Sequence, residues 1–176
     1  MNNNETLRSA MEVMDSFYKN TAIMLETFKG ILVNDYGYND IGGNRVCWEC
    51  SRSISYPLYW IPPYLSLWFQ NKVEKNVYIS ITITLKEYWK GGIPKEEYFI
   101  YGCKYKDVVN PQKDYPWIGK DTVENPDDGI TREVIDDFTE VEWKEYFGSG
   151  KFIKRSLWDM KDRQAVSDFA KQVAEL

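Results

Sequence analysis

Histidine is missing from all 176 residues. Its absence removes the serine-histidine and cysteine-histidine nucleophilic machineries and every metal site with an imidazole ligand. Cysteine is scarce, and its three copies, an odd number, do not suit a disulfide framework. They fit a reducing compartment, so a cytoplasmic location is expected. No apolar run reaches the roughly 18 to 20 residues of a membrane span, and the most apolar stretch, YPLYWIPPYLSLWF, is broken by three prolines. The first residues, MNNNETLRSAMEV, lack the basic start and continuous apolar segment of a secretory signal and read as the beginning of a helix. An excess of basic charge is lacking too. The net charge of −5 and pI near 4.9 argue against a protein that reads the phosphate backbone of nucleic acids. Internal repeats and low-complexity tracts are also absent.

What is present suits a soluble globular chain: 43% hydrophobic and 28% charged residues, at a length that supports one core. A single α+β domain over residues 1–176 is expected, with a mainly antiparallel sheet of about four to five strands against a long N-terminal helix and a C-terminal helix. From Glu5 to Gly30, or as far as Val33, Leu7, Met11, Met14, Tyr18, Leu25 and Phe28 recur at helical spacing, with Thr21 the polar exception. Asn2 and Glu5 form a capping pair, and Gly30 suits a helix stop. Ala10, Val13, Phe17, Ile23 and Met24 widen the apolar stripe. Such a helix is about 38 Å long and overhangs a typical strand, which makes the overhang a candidate partner surface.

Residues 34–44 are dense in Gly, Asn and Asp and read as a loop. Val46, Trp48, Cys50 and Ile54 alternate with Cys47, Glu49, Ser51 and Ser53 as in a strand. Pro62 and Pro63 interrupt any sheet before extended structure resumes at Tyr64 to Phe69. The strict alternation of Val77, Ile79, Ile81, Ile83 and Leu85 with Tyr78, Ser80, Thr82 and Thr84 predicts a strand. EEYFIYGCKY predicts its antiparallel neighbour, with Phe99, Tyr101, Cys103 and Tyr105 facing inward. Breakers make residues 107–130 a long irregular loop. Thr139 and Glu142 match a capping box ahead of a short helix that Gly148 would end. Lys151 to Trp158 suits a strand. From Asp162 onward, Val166, Phe169, Val173 and Leu176 share one helical stripe.

Cys47-Trp48-Glu49-Cys50 has the C-x-x-C spacing of redox and metal motifs. On a strand, however, positions three apart point to opposite faces, and Cys103 leaves a zinc site short of ligands. Buried or incidental cysteines are the alternative. Pro126-Asp127 followed by Glu142-Trp143-Lys144 resembles the PD…(D/E)xK motif of metal-dependent nucleases, whose carboxylates hold Mg²⁺ and whose lysine stabilises phosphate charge. That chemistry needs adjacent strands, whereas Asp127 falls in the breaker-rich loop and Glu142 in the expected helix. Asp127-Asp128-Gly129 lacks the ligand alternation of a calcium loop and reads as a solvated turn.

Aromatic density is the strongest signal: Tyr56, Tyr59, Trp60, Tyr64, Trp68 and Phe69 fall close together. Such rings build cores, and they also give flat contact surfaces for ligands and proteins. The binding candidates are Tyr56, Tyr59, Trp60, Tyr64, Trp68 and Tyr101. Residues 107–150 hold twelve acidic and four basic side chains, against a net-positive remainder. That segment suits a basic partner, or internal neutralisation by Lys151, Lys154, Arg155, Lys161 and Arg163. No catalytic constellation is complete, and no cofactor or metal is expected. The expected function is recognition, through the aromatic segment and the long helix, of a protein partner or a second copy. The alternatives are a small-molecule or carbohydrate domain with an aromatic pocket, and a histidine-independent hydrolase or nuclease.

Overall fold

The computed structural model describes residues 3–43, 62, 64–87, 93–107, 131–135, 138–142 and 149–176. The strand expected over 46–54 and almost all of the loop expected over 107–130 lie outside them. The chain opens with α1 (Asn3–Asn34), a helix of 32 residues. At 1.5 Å per residue it is about 48 Å long. Gly30 does not stop it, because the helix runs on until Ile31 and Leu32 have been buried in the core. The last turn is held by Asp35 N–H donating to Ile31 O at 2.9 Å and Lys72 Nζ donating to Val33 O at 3.0 Å. Gly37, at φ +73°, then reverses the chain, a conformation that costs glycine little.

The turn-rich segment after α1 hides a short strand, β1 (Tyr38–Asp40), where a loop was expected. Tertiary contacts override the local composition: Tyr38 is buried, Asp40 pairs with Lys29 of α1 at 2.8 Å, and the strand aligns with the end of β2. The sheet continues with β2 (Tyr64–Asn71), β3 (Tyr78–Glu87), β4 (Ile93–Lys106), β5 (Thr131–Ile135), β6 (Phe138–Glu142) and β7 (Ser149–Ser156). Every pairing is antiparallel, in the order β1-β2-β3-β4-β7-β6-β5. Thr139 and Glu142 therefore sit in a strand, and the short helix expected after them, up to Gly148, falls outside the described residues. Their local capping pattern is overridden by pairing with Phe152 and Ser149 of β7. After β7 come a one-turn 3-10 helix (Leu157–Asp159) and α2 (Arg163–Glu175). The α+β arrangement of an antiparallel sheet with an N-terminal and a C-terminal helix is as the sequence led one to expect, with the β5–β6 hairpin added at one edge.

The helices pack on one face of the sheet. Leu25, Phe28, Ile31 and Leu32 of α1 and Val166, Phe169, Ala170 and Val173 of α2 meet Leu65, Leu67, Phe69, Ile79, Ile81, Ile83, Ile100 and Ile153. Each of these side chains other than Ala170 contributes about 1.5 to 3 kcal/mol on burial. Phe28 and Phe169 join the helices edge to face, with centroids 5.8 Å apart. Asp162 caps α2 by accepting from Ala165 N–H at 2.9 Å, and at the other end Lys104 Nζ donates to Ala174 O at 2.6 Å.

The register fixes which residues of β4 face the helices. Ile100 and Gly102 lie opposite Ile83 and Ile81, so Phe99, Tyr101, Cys103 and Tyr105, expected to face inward, lie on the other side. Tyr101, Cys103 and Tyr105 are nevertheless buried, as are Trp68, Ser80, Thr82 and Thr84 of the same face. The polar half of the β3 alternation thus marks a second buried layer.

Candidate functional site

The aromatic candidates divide by location. Tyr56, Tyr59 and Trp60 lie outside the described residues, and Tyr64 is placed only by its backbone, opposite Thr84. Trp68 and Tyr101 stand on the sheet face away from the helices, 1% and 2% exposed. Trp68 stacks on Tyr105 with centroids 5.7 Å apart at 18°. Cross-strand hydroxyls pair around them: Ser66 Oγ with Thr82 Oγ1 at 2.8 Å, and Ser80 Oγ with Tyr105 OH at 3.2 Å. Gln70 Nε2 donates to Tyr78 OH at 2.8 Å. At the margin, Lys154 Nζ lies 3.6 Å from the centroid of Phe99 and 5.9 Å from that of Tyr101.

This layer is chemically quiet. Burial pushes the Cys103 thiol up to about 11, against weaker opposing hydrogen bonds from Tyr105 and Ser80. Burial likewise holds the Tyr105 hydroxyl well above its ordinary 10.0. A nucleophilic thiol needs the opposite environment, one that favours the thiolate. Cys47 and Cys50 are outside the described residues, and among those described no group of three or more Cys, Asp or Glu side chains is placed to hold a metal. Glu142 ends β6, while Asp127 and Lys144 of the nuclease-like motif, and the Asp127-Asp128-Gly129 turn, are outside the described residues.

A different surface is open. In α1 the fully buried positions begin at Thr21, Phe17 and Tyr18 pack half-buried against the edge of the core, and residues 3–13 are exposed. Leu7, Met11 and Val13 are 64%, 58% and 68% exposed there. Alongside, α1 and the chain leading into α2 form an open cavity of about 690 Å³. Its apolar walls are Val13, Phe17 and Met24 from α1 with Trp158, Met160 and Val166 opposite, and Lys161 and Arg163 lie on its polar rim.

Local geometry explains the outward tryptophan. Met160 N–H donates to Leu157 O at 3.2 Å, closing the turn, and Leu157 is buried. The next residue along the turn is thereby directed to solvent, and Trp158 is 69% exposed. Sequence reading took Trp158 for the end of a strand. The signal that could have exposed it is Asp162, whose capping role starts α2 one residue later and makes 157–161 a connector. The overhang itself was legible from the length of the apolar stripe. Among the described residues, no helix is long and apolar enough to cross a membrane.

Comparison with known protein families, with curated proteins and with solved structures yields no match.

Proposed function

We propose that this protein is a non-catalytic recognition domain that engages a protein partner through the exposed half of α1 and the groove it shares with Trp158 and α2. The observation that carries the reading is the continuity of the apolar stripe. Leu25, Phe28 and Leu32 are buried, and the same spacing runs back through the half-buried Tyr18 and Met14 to Met11 and Leu7, which are exposed. Monomeric domains rarely keep a contiguous apolar surface without a use for it, and helix-to-groove contact is a common one. The methionines add adaptable contact area, and Trp158 is of the residue type that anchors interfaces.

The groove volume of about 690 Å³ also favours a second reading, a small apolar ligand held between the apolar walls. Photo-crosslinking separates the two. A benzophenone amino acid at Val13 or Trp158 is expected to capture a protein in cells expressing the chain, and one at Glu26, exposed on another face of α1, to capture none. Absence of protein adducts at Val13 and Trp158 would remove the leading reading.

A further inference from the structure

We infer that the partner of the exposed half of α1 is a second copy of this chain, paired with it as an antiparallel helix. This rests on the reading of α1 as a recognition surface, and it adds the identity of the partner and the register. Leu7, Met11, Met14, Tyr18, Thr21, Leu25, Phe28 and Leu32 follow an unbroken alternation of four and three residues, the seam spacing of paired helices. The last four are buried against the protein's own α2 and sheet, Tyr18 packs half-buried on the edge of that core, Met14 is half-buried, and Leu7 and Met11 carry the same stripe on into solvent.

The length of the overhang selects the register. In an antiparallel pair with its two-fold axis between residues 12 and 13, Met11 faces Met14 of the second copy and Leu7 faces its Tyr18. Thr21, the first buried position, then falls opposite Asn4, at the start of the other helix. Each globular body lies just past the end of its partner's helix, and the exposed Leu7 and Met11 of each copy cover the half-buried Tyr18 and Met14 of the other.

Charge agrees with the same register. Arg8 and Asp15 flank the seam on one side, seven residues apart. Antiparallel pairing brings Arg8 of each copy beside Asp15 of the other, so one complementary contact forms twice about the two-fold axis. A parallel pair would instead set Arg8 beside Asn3 and Asp15 beside Ala10 of the other copy, leaving both charges without a complement across the seam. The present partners are exposed neighbours on the same helix, Arg8 with Glu12 at 2.9 Å and Asp15 with Lys19 at 2.6 Å. Such pairs are weak and exchange at little cost. On the other flank, Ala10 and Phe17 keep the seam apolar toward the groove.

The full chain is expected to sediment as a reversible dimer in the micromolar range. Met14→Asp should raise the dissociation constant at least about 100-fold, the effect of placing a charge in a desolvated seam. Arg8→Asp should weaken the dimer about fivefold, and Arg8→Asp combined with Asp15→Arg should restore it. In a Cys47→Ser, Cys50→Ser background, chains carrying Met11→Cys should form a disulfide with chains carrying Met14→Cys, and neither alone should cross-link to itself. Self-linking of Met11→Cys would overturn the antiparallel register, and a monomer throughout the micromolar range would overturn the second copy as partner. A monomer whose Val13 photoprobe captures a different protein would defeat this inference alone, whereas a monomer with no adduct would defeat the recognition reading as well.

Discussion

A Cβ atom built on Gly102 of β4 would overlap Val173 Cγ2 of α2, closer than any real contact allows. Phe169 crowds the same point at 3.1 Å. Gly102 is thus the place where helix and sheet come together without a side chain between them. Gly102→Ala is expected to destabilise the protein by about 1 to 3 kcal/mol through overpacking. The cost should be smaller in a Val173→Ala background, because the truncated helix leaves room for the methyl. Urea unfolding of the four proteins of this cycle measures the coupling, and additive costs would contradict the close contact.

The buried hydroxyls opposite the helices are not equivalent. Thr82 Oγ1 is paired with Ser66 Oγ at 2.8 Å, while Thr84 Oγ1 is buried with no hydrogen-bond partner among the described residues. Thr84→Val should therefore leave stability unchanged or raise it by about 1 kcal/mol, by removing an unsatisfied polar atom of nearly the same shape. Thr82→Val should lower stability by about 1 kcal/mol. A thermal midpoint lowered by Thr82→Val and not lowered by Thr84→Val is the expected outcome.

Much of this fold was legible because it depends on periods that local sequence carries. The alternation in Tyr78–Glu87 and the stripes of both helices each report which side of an element is apolar. What failed depends on partners distant in sequence. Tyr38–Asp40 has turn-forming composition and becomes a strand because Asn71 and Lys29 are there to meet it. Thr139 and Glu142 have capping chemistry and become β6 because β7 pairs with them. In β4 the large aromatic set looked like the face toward the helices, yet α2 needs the smallest residue, Gly102, at its closest approach. For the candidate surface, the stripe from Leu7 to Leu32 marks what is apolar but carries no sign of where cover ends. Only the fold shows that the boundary falls at Thr21.

Alkaline pH should expose the buried thiol energetically. Burial holds Cys103 at about 11, while an exposed thiol titrates near its ordinary 9.0. Between those values the folded protein keeps a proton that the unfolded chain has lost, so stability falls as pH rises through this window. The thiol's share approaches about 3 kcal/mol at the upper end. Tyr105, also raised by burial, acts in the same direction at higher pH. Unfolding free energies from neutral pH upward, compared with Cys103→Ala, should give a difference that declines across the window. In a Cys47→Ser, Cys50→Ser background the remaining thiol should resist aromatic disulfide reagents until the chain is unfolded, and rapid labelling of the native protein would count against this burial.

The two halves of α1 should answer the same kind of substitution differently. Phe28 is fully buried and touches Phe169, so Phe28→Ala should cost about 3 to 5 kcal/mol through lost burial and the cavity left behind. Leu7 is 64% exposed, and Leu7→Ala should change the stability of the monomeric fold by less than about 0.5 kcal/mol. Backbone amide exchange should follow the same division, slow from Thr21 to Leu32 and fast before Tyr18, since local opening of the overhang breaks few apolar contacts. Dilution provides the sharper check. If the overhang pairs with a second copy, protection before Tyr18 should rise with protein concentration while protection around Phe28 stays constant. Concentration-independent exchange in the overhang would mean that its stripe is not covered by self-association, even where the rest of the helix behaves as described.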